Sequence, residues 1–431
     1  MKHKWSIMMG VGALIMGAFL YTYNFKPETP IEKIDSLEPP KKQTENLQVP
    51  VDPVIEQLAA LSLEEKLGQL MIWGFEESVS SERIQGLIQE YKVGGFILFQ
   101  RNYQDAASML QLTTQLYQWN RDNPLPLFIS IDEEGGSVSR VPREATKFPD
   151  ARLLGLSNDD NLTQRTAMAI GTELKALGVN VNFAPVLDVV SSKKNQLLYK
   201  RAFSGNPSDV ARHGISFMKG LEKQGILSVP KHFPGHGDTQ VDSHGSLPRI
   251  MIDRETLEER ELVPFRTAIG NGADAIMIGH LAFPNIDPQA LPATRSRLFL
   301  QDILRQELGF EGLIITDDME MAGYVGKDIS FEEAVLQSFE AGVDIFLICH
   351  TEDLQKGAYT ALKKAIEDGR ISEERLNASV LRIIKIKEKY GLQQEPWLNL
   401  EDMKNKIGTP EHKELRQEIL NKSKSNPSSS S

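Results

Sequence analysis

At 431 residues the chain can hold one large domain or two to three smaller ones, and its 40% hydrophobic and 25% charged content suits a globular core and excludes wholesale disorder. A formal charge of −11 argues against nucleic acid as a partner, because phosphate binding wants a basic face. The lone cysteine, Cys349, excludes an intrachain disulfide and a Cys-based zinc site; inside an apolar run it reads as a small buried hydrophobe.

Lys2, His3 and Lys4 precede an uncharged run over 5–24. As a helix that run would be about 30 Å long, the thickness of a hydrocarbon core. The positive flank should stay cytoplasmic and send the rest of the chain outside. A cleaved signal peptide wants small residues at its cleavage site, and Leu20-Tyr21-Thr22-Tyr23 matches poorly, so an uncleaved signal-anchor is favoured. No cysteine follows the run, which argues against a lipoprotein anchor. Residues 25–55 interleave Pro27, Pro30, Pro39, Pro40, Pro50 and Pro53 with Glu and Lys. That composition predicts an extended, solvated and disordered spacer.

Beyond the spacer, short apolar runs alternate with longer amphipathic stretches. Ser62-Leu63-Glu64-Glu65 has the spacing of a capping box and should start a helix. Strands are expected at 69–73, 94–99, 127–131, 182–187, 227–231, 275–278, 313–316 and 345–348, with helical spacing over 161–177, 209–224, 254–271 and 331–341. Strand-helix alternation implies a parallel sheet with right-handed crossovers. Eight repeats predict an α/β fold with a single (β/α)8 TIM-type barrel over 56–396; a doubly wound open sheet is the runner-up. Residues 397–431 then form a C-terminal extension that ends in a polar, serine-rich tail.

A barrel carries its chemistry at the C-terminal ends of its strands. The polar residues that follow the predicted strands are Asp132, Asp188, Lys231 with His232, His280, and Asp317 with Asp318. Any one of them alone reads equally as a helix cap or a turn residue. As a set they should converge on one mouth. The densest group is the stretch 231–244, which holds His232, His236, His244, Asp238, Asp242 and Lys231. Pro234, Gly235 and Gly237 exclude a continuous helix there, so it should be a loop of titratable groups at the end of a strand. On residue type alone, His232, His236, Asp238, Asp242 and His244 are all plausible zinc or manganese ligands.

Several long motifs, in order, carry a family resemblance over about 61–392. They are Leu63-Glu64-Glu65-Lys66-Leu67-Gly68-Gln69, Ile131-Asp132-Glu133-Glu134-Gly135-Gly136-Ser137-Val138-Ser139-Arg140, Asn182-Phe183-Ala184-Pro185-Val186-Leu187-Asp188, the loop 231–244, and Ile315-Thr316-Asp317-Asp318-Met319. The chain resembles glycoside hydrolase family 3, in particular its bacterial β-N-acetylglucosaminidase (β-N-acetylhexosaminidase) branch, which the Lys-His-Phe-Pro-Gly-His-Gly…Asp-Ser-His loop singles out. The resemblance implies that Asp317 is the nucleophile of a retaining mechanism, with Asp318 its rival within the pair. It implies that His244 is the acid/base and that Asp242 holds its imidazole. It further implies that Asp132, Arg201, Lys231 and His232 bind the sugar, with Asp188 and His280 as contacts or supports. The family tends to have Asn-Pro before the segment that carries Arg201, where this chain has Asn195-Gln196; the spacing to Arg201 is kept. Glu133 and Glu134 are expected to be solvated or helix-start charges.

This mechanism needs no metal or other cofactor. The expected substrates are glycans with terminal N-acetylglucosamine (GlcNAc), such as muropeptides or chitin oligosaccharides, and the expected location is outside the cytoplasm, at the cell membrane. Three rival readings are a metal-dependent barrel hydrolase, a non-catalytic wall-binding protein, and phosphorolysis at the same site, because an imidazole repels phosphate less than a carboxylate does. Residues 411–424 resemble the approach to the second α/β domain of longer family members.

Overall fold

The computed structural model describes residues 52–78, 81–237, 247–325 and 329–425. The predicted signal-anchor, the spacer up to residue 51, His244, Asp242, Asp238 and the last tail residues lie outside them. Among the described residues, no helix is long and apolar enough to cross a membrane.

The helix Pro53–Ala60 begins inside the predicted spacer. The Asp52 side chain accepts the Val54 amide, Pro53 sits in the first turn, and Val54 and Leu58 are buried. The last residues assigned to the spacer therefore belong to the domain: a capping Asp-Pro with an apolar face is enough to start a helix. The capping box at Ser62 forms, with reciprocal bonds between Ser62 and Glu65.

The eight strands are β1 Met71–Trp73, β2 Gly95–Leu98, β3 Phe128–Ile131, β4 Val181–Asn182, β5 Leu227–Ser228, β6 Ala275–Ile278, β7 Leu313–Thr316 and β8 Phe346–Ile348, and every residue in them is buried. All their pairings are parallel. The order β5-β4-β3-β2-β1-β8 continues through single parallel bridges, Ile315 to Ile345 and Phe233 to Ile278, that bring in the β7-β6 pair. The pairing thus runs round in a ring, and the α/β fold is barrel-like. β4 and β5 are shorter than predicted, because Pro185 and Pro230 have no N–H to give the ladder. The two segments still touch further on, where the Leu187 amide donates to the Lys231 carbonyl at 2.6 Å.

Helices follow the strands on the outside, among them Asp160–Ala176, Pro207–Glu222 and Phe331–Ala341, close to the expected bounds. Their apolar faces and the strands form one core in which Trp73, Phe96, Phe128 and Phe233 have almost no solvent contact. Each such side chain stabilises the fold by about 1.5–3 kcal/mol.

The helix Glu373–Lys389 packs on the helices Pro53–Ala60 and Leu63–Gln69, and its polar side chains reach the N-terminal ends of the strands. Arg375 donates to the Phe339 and Val343 carbonyls, and Ser379 and Arg382 bind Asp344 just before β8. Lys387 Nζ donates to Gln69 Oε1 (2.6 Å), the Pro126 carbonyl (2.6 Å) and the Gly94 carbonyl (3.2 Å), ahead of β1, β3 and β2. Burial holds the Lys387 pKa well below the ordinary lysine value. One helix therefore braces the face of the ring opposite the strand ends that carry the chemistry.

Residues 410–425 pack on the domain. They form the helix Pro410–Ser425, which buries Leu415 and Ile419 and packs on the helices Ala151–Ser157 and Asp160–Ala176. His412 Nδ1 lies 2.7 Å from Glu173 Oε1, and Arg165–Glu418 and Lys422–Asp159 pair at 3.0 and 2.7 Å. An amphipathic pattern marks a buried face without naming what covers it; here the covering surface is the domain itself.

Candidate active site

The site is built where strands stop. Asp132 follows β3, Asp317 follows β7, and Lys231-His232 follow the turn after β5. At Lys231 the chain still bridges to Val186, so the Lys231 side chain is anchored as firmly as a strand residue. The loop after Asp132 turns back at Gly135-Gly136. Gly136 has φ of +58°, and a Cβ there would sit 2.0 Å from Asp150 Oδ1, so only glycine fits.

Four charges lock together on one wall. Lys231 Nζ lies 2.6 Å from Asp132 Oδ1 and 2.7 Å from Glu134 Oε1. Arg201 grips Glu134 with two bonds of 2.8 Å, from Nε to Oε2 and from Nη2 to Oε1. Burial alone would raise the Glu134 pKa, but the Arg201 and Lys231 charges outweigh it and hold the carboxyl well below its usual range. Burial likewise opposes the charge on Lys231, and Asp132 and Glu134 reverse this and raise its pKa. The cluster is two cations and two anions at close range, with Asp132 and Arg201 the members that keep some exposure.

Behind it stands a second pair. Asp188, fully buried, accepts His232 Nδ1 at 2.7 Å and the His236 amide at 2.9 Å. Burial pushes the Asp188 pKa up, and the neighbouring His232 brings it below the ordinary value. His232 Nε2 lies 3.4 Å from Arg201 Nη2. Asp188 is thus a support that orients His232, and it does not line the cavity.

Asp317 lines the same cavity. Its amide donates to the Ile278 carbonyl at 3.0 Å, and its Oδ1 accepts the Asp318 amide at 2.8 Å. Burial raises its pKa, while His232, His280 and Lys231 together hold it below the usual aspartate value, so it is a carboxylate. His280 is also a support. It is buried, lies 3.1 Å from Thr294 Oγ1 through Nδ1, and its Nε2 donates to the Asp318 carbonyl at 2.9 Å, which fixes the turn that presents Asp317.

These groups line a cavity of about 510 Å³, with Asp132, Glu134, Arg201, Lys231, His232 and Asp317 on its surface. All four predicted sugar-binding residues and the predicted nucleophile meet there. The predicted acid/base His244 and its partner Asp242 lie outside the described residues, but both ends of their loop are fixed. On one side Asn195 Nδ2 donates to the Gly237 carbonyl at 3.1 Å, and a Cβ on Gly237 would meet the Val189 carbonyl at 1.9 Å. On the other the Ile250 amide donates to the Ala282 carbonyl at 2.8 Å.

Two expectations need correction. Glu134 is not a solvated or helix-start charge but the hub of the ion cluster. Glu133 is also buried. Its Oε2 accepts the Arg140 amide at 2.8 Å and the Val141 amide at 3.3 Å, and burial pushes its pKa up to about 7. The available signal was the need of Arg201 and Lys231 for counter-charges, which adjacent acids beside a Gly-Gly turn could meet. Arg140 and His350 line the cavity too and went unpredicted. Among the described residues, Asp318, Cys349 and His350 bring ligand atoms within 4.8 Å of one another. Cys349 is buried as expected, and that burial pushes its thiol pKa well up.

The Glycosyl hydrolase family 3 N terminal domain matches residues 62–386 of this chain. Beta-hexosaminidase A of Pseudoalteromonas piscicida is 38% identical over 356 residues, 77% of this chain and 59% of that relative; the chain thus spans well under two thirds of its length. Beta-hexosaminidase of Nitrosomonas eutropha is 36% identical over 307 residues, 69% of this chain and 86% of that one. A glycoside hydrolase family 3 beta-N-acetylglucosaminidase from Paenibacillus sp. str. FPU-7 superposes with a TM-score of 0.80 at 40% identity, over 84% of this chain and 69% of that structure.

Proposed function

Because the chain belongs to glycoside hydrolase family 3, we propose that it is a retaining, exo-acting β-N-acetylglucosaminidase that removes terminal, non-reducing β-linked GlcNAc. The observation that carries this reading is that the Asp132–Lys231–Glu134–Arg201 cluster and the Asp317 carboxylate line one cavity. Related hexosaminidases and the Paenibacillus structure support the substrate class.

In this reading Asp132, Lys231, Arg201 and His232 hold the hydroxyls of one terminal sugar. The cluster is already assembled, so binding costs little reorganisation. Asp317 is ionised and keeps Oδ2 uncommitted among the described residues, which suits attack at the anomeric carbon. The bond formed is Oδ2–C1 and the bond broken is C1–O of the leaving group. That oxygen takes its proton from His244, held by Asp242, and His244 then deprotonates the water that releases the sugar. Support for His244 is the sequence of its loop and the fixed ends of that loop at residues 237 and 250.

The basic flank and uncharged run over 5–24 support export and membrane anchoring, with 25–51 as a tether. Muropeptides of the cell wall are then the substrates within reach, and chitin oligosaccharides share the same terminal linkage. The test is turnover of a chromogenic β-N-acetylglucosaminide beside the β-glucoside, with the first anomer released followed by NMR. Preference for the N-acetyl substrate with the β anomer first is expected. Faster glucoside turnover, or the α anomer first, would overturn the reading.

A further inference from the structure

The active-site cavity is at the C-terminal ends of the strands; a second one lies at the other end of the molecule. It has a volume of about 310 Å³ and is lined by Trp397, Tyr390, Lys175, Gln393 and the segment 178–180 that enters β4. Gly225, just ahead of β5, lines it as well, so the groove opens on the face braced by the helix Glu373–Lys389.

Trp397 is 77% exposed, the most exposed large apolar side chain among the described residues. An indole in water at the edge of a preformed hollow is an unusual use of a large apolar surface. The fixed part of the hollow is tightly determined. Tyr117 donates to the Gly178 carbonyl at 2.9 Å, and Asn180 is bonded to Tyr117, the Leu127 carbonyl and the Ile129 amide. Tyr390 is held by Asp274 at 3.0 Å. The polar groups at its margin are Lys175, whose Nζ spends one bond on the Gln224 carbonyl, and Gln393, both exposed.

We propose that this groove is a second carbohydrate site, which binds a β-linked N-acetylhexosamine chain without cleaving it. The proposal rests on the glycan reading of the active site. A pyranose ring has apolar C–H faces and a polar equatorial edge, so it suits an aromatic platform flanked by hydroxyl-seeking groups. Trp397 offers the face, and Lys175 and Gln393 offer donors at the margin; no group here is placed to attack a glycosidic bond. The volume accommodates one or two rings, whereas a purely apolar partner would leave the lysine and glutamine unmatched. Since the two sites face opposite ways, the groove would hold the enzyme on an insoluble glycan while the catalytic mouth meets chain ends.

The experiment compares the whole chain with Trp397→Ala and Trp397→Phe. Retention is measured on ball-milled chitin and on isolated peptidoglycan sacculi, beside turnover of a soluble chromogenic substrate. Loss of an aromatic anchor should lower retention about ten-fold or more, with soluble turnover within about two-fold, and Phe should restore part of the retention. Loss on both polymers supports the shared sugar chemistry; loss on sacculi alone assigns the site to the peptide-bearing glycan and points to Lys175. Unchanged retention in Trp397→Ala overturns the proposal. If Trp397→Ala is misfolded, Gln393→Ala with Lys175→Ala decides on the same readout. Wild type that binds glycan through Trp397 but turns nothing over would sink the proposed activity and leave this site standing. Turnover with Trp397-independent retention would do the reverse.

Discussion

Replacing Glu134 with Gln tests the central electrostatic claim. The side chain is isosteric, so packing is kept and only the charge and one acceptor change. Oε1 accepts from both Arg201 and Lys231, and Oε2 accepts from Arg201 Nε. Whichever way the amide turns, its NH2 faces a donor. At least one charge-assisted bond is lost and a buried cation is left short of a counter-charge, which costs about 3–5 kcal/mol when a buried pair is broken. Asp132 still serves Lys231, so the lower end of that range is expected. If half of this falls on the placement of Arg201 and Lys231, kcat/KM drops by about ten- to a hundred-fold. Steady-state kinetics and a thermal melt on the same preparation check it, with KM expected to rise more than kcat falls. A Glu134→Gln enzyme with wild-type kcat/KM and melting temperature would refute the reasoning, because the cluster would then contribute neither stability nor binding.

Asp317→Asn should abolish turnover, by more than about a thousand-fold, while the melting temperature stays close to wild type; residual activity near wild type would dismiss Asp317 as nucleophile. Glu133, with its pKa raised to about 7, stabilises the fold fully below the unfolded carboxyl range near pH 4 and loses that contribution as pH rises through 7. Glu133→Gln, which mimics the neutral form, should therefore flatten the decline and gain about 2–3 kcal/mol over wild type between pH 5 and pH 8, read by denaturant titration at both values. The lowered pKa values of Asp188 and Asp317 act oppositely, contributing stability above the ordinary aspartate range and losing it as pH falls through their folded values. Chelation should leave kcat unchanged, and phosphate buffer should yield no sugar 1-phosphate. Zinc-restorable loss would favour a metal at Asp318, Cys349 and His350, and a phosphate ester would convert the reaction to phosphorolysis.

Much of this was legible because the strands lie in short, mainly apolar runs and the chemistry follows them closely. Asp132, Lys231 and Asp317 could be found by asking which polar residue ends each run. Glu134 was legible only through the counter-charges that Arg201 and Lys231 need, since Arg201 is 67 positions away and nothing local distinguishes a paired glutamate from a solvated one. The same holds for Lys387, whose amphipathic helix reads as one more outer crossover although its ammonium reaches three strand entrances. The clipped ends of β4 and β5 were readable in principle from Pro185 and Pro230, which deny the ladder a donor.

The brace under the ring also sets an order of events. Lys387 meets Gln69 across 318 positions and the Pro126 carbonyl across 261, and Tyr390 meets Asp274 across 116. Contacts of such separation close late and slowly. A nascent chain can lay down every strand and every assigned sugar-binding residue while Asp344 and the carbonyls of Gly94 and Pro126 still lack their partners from the closing helix. A chain cut before residue 390 therefore carries every proposed site residue on a ring whose base is still open.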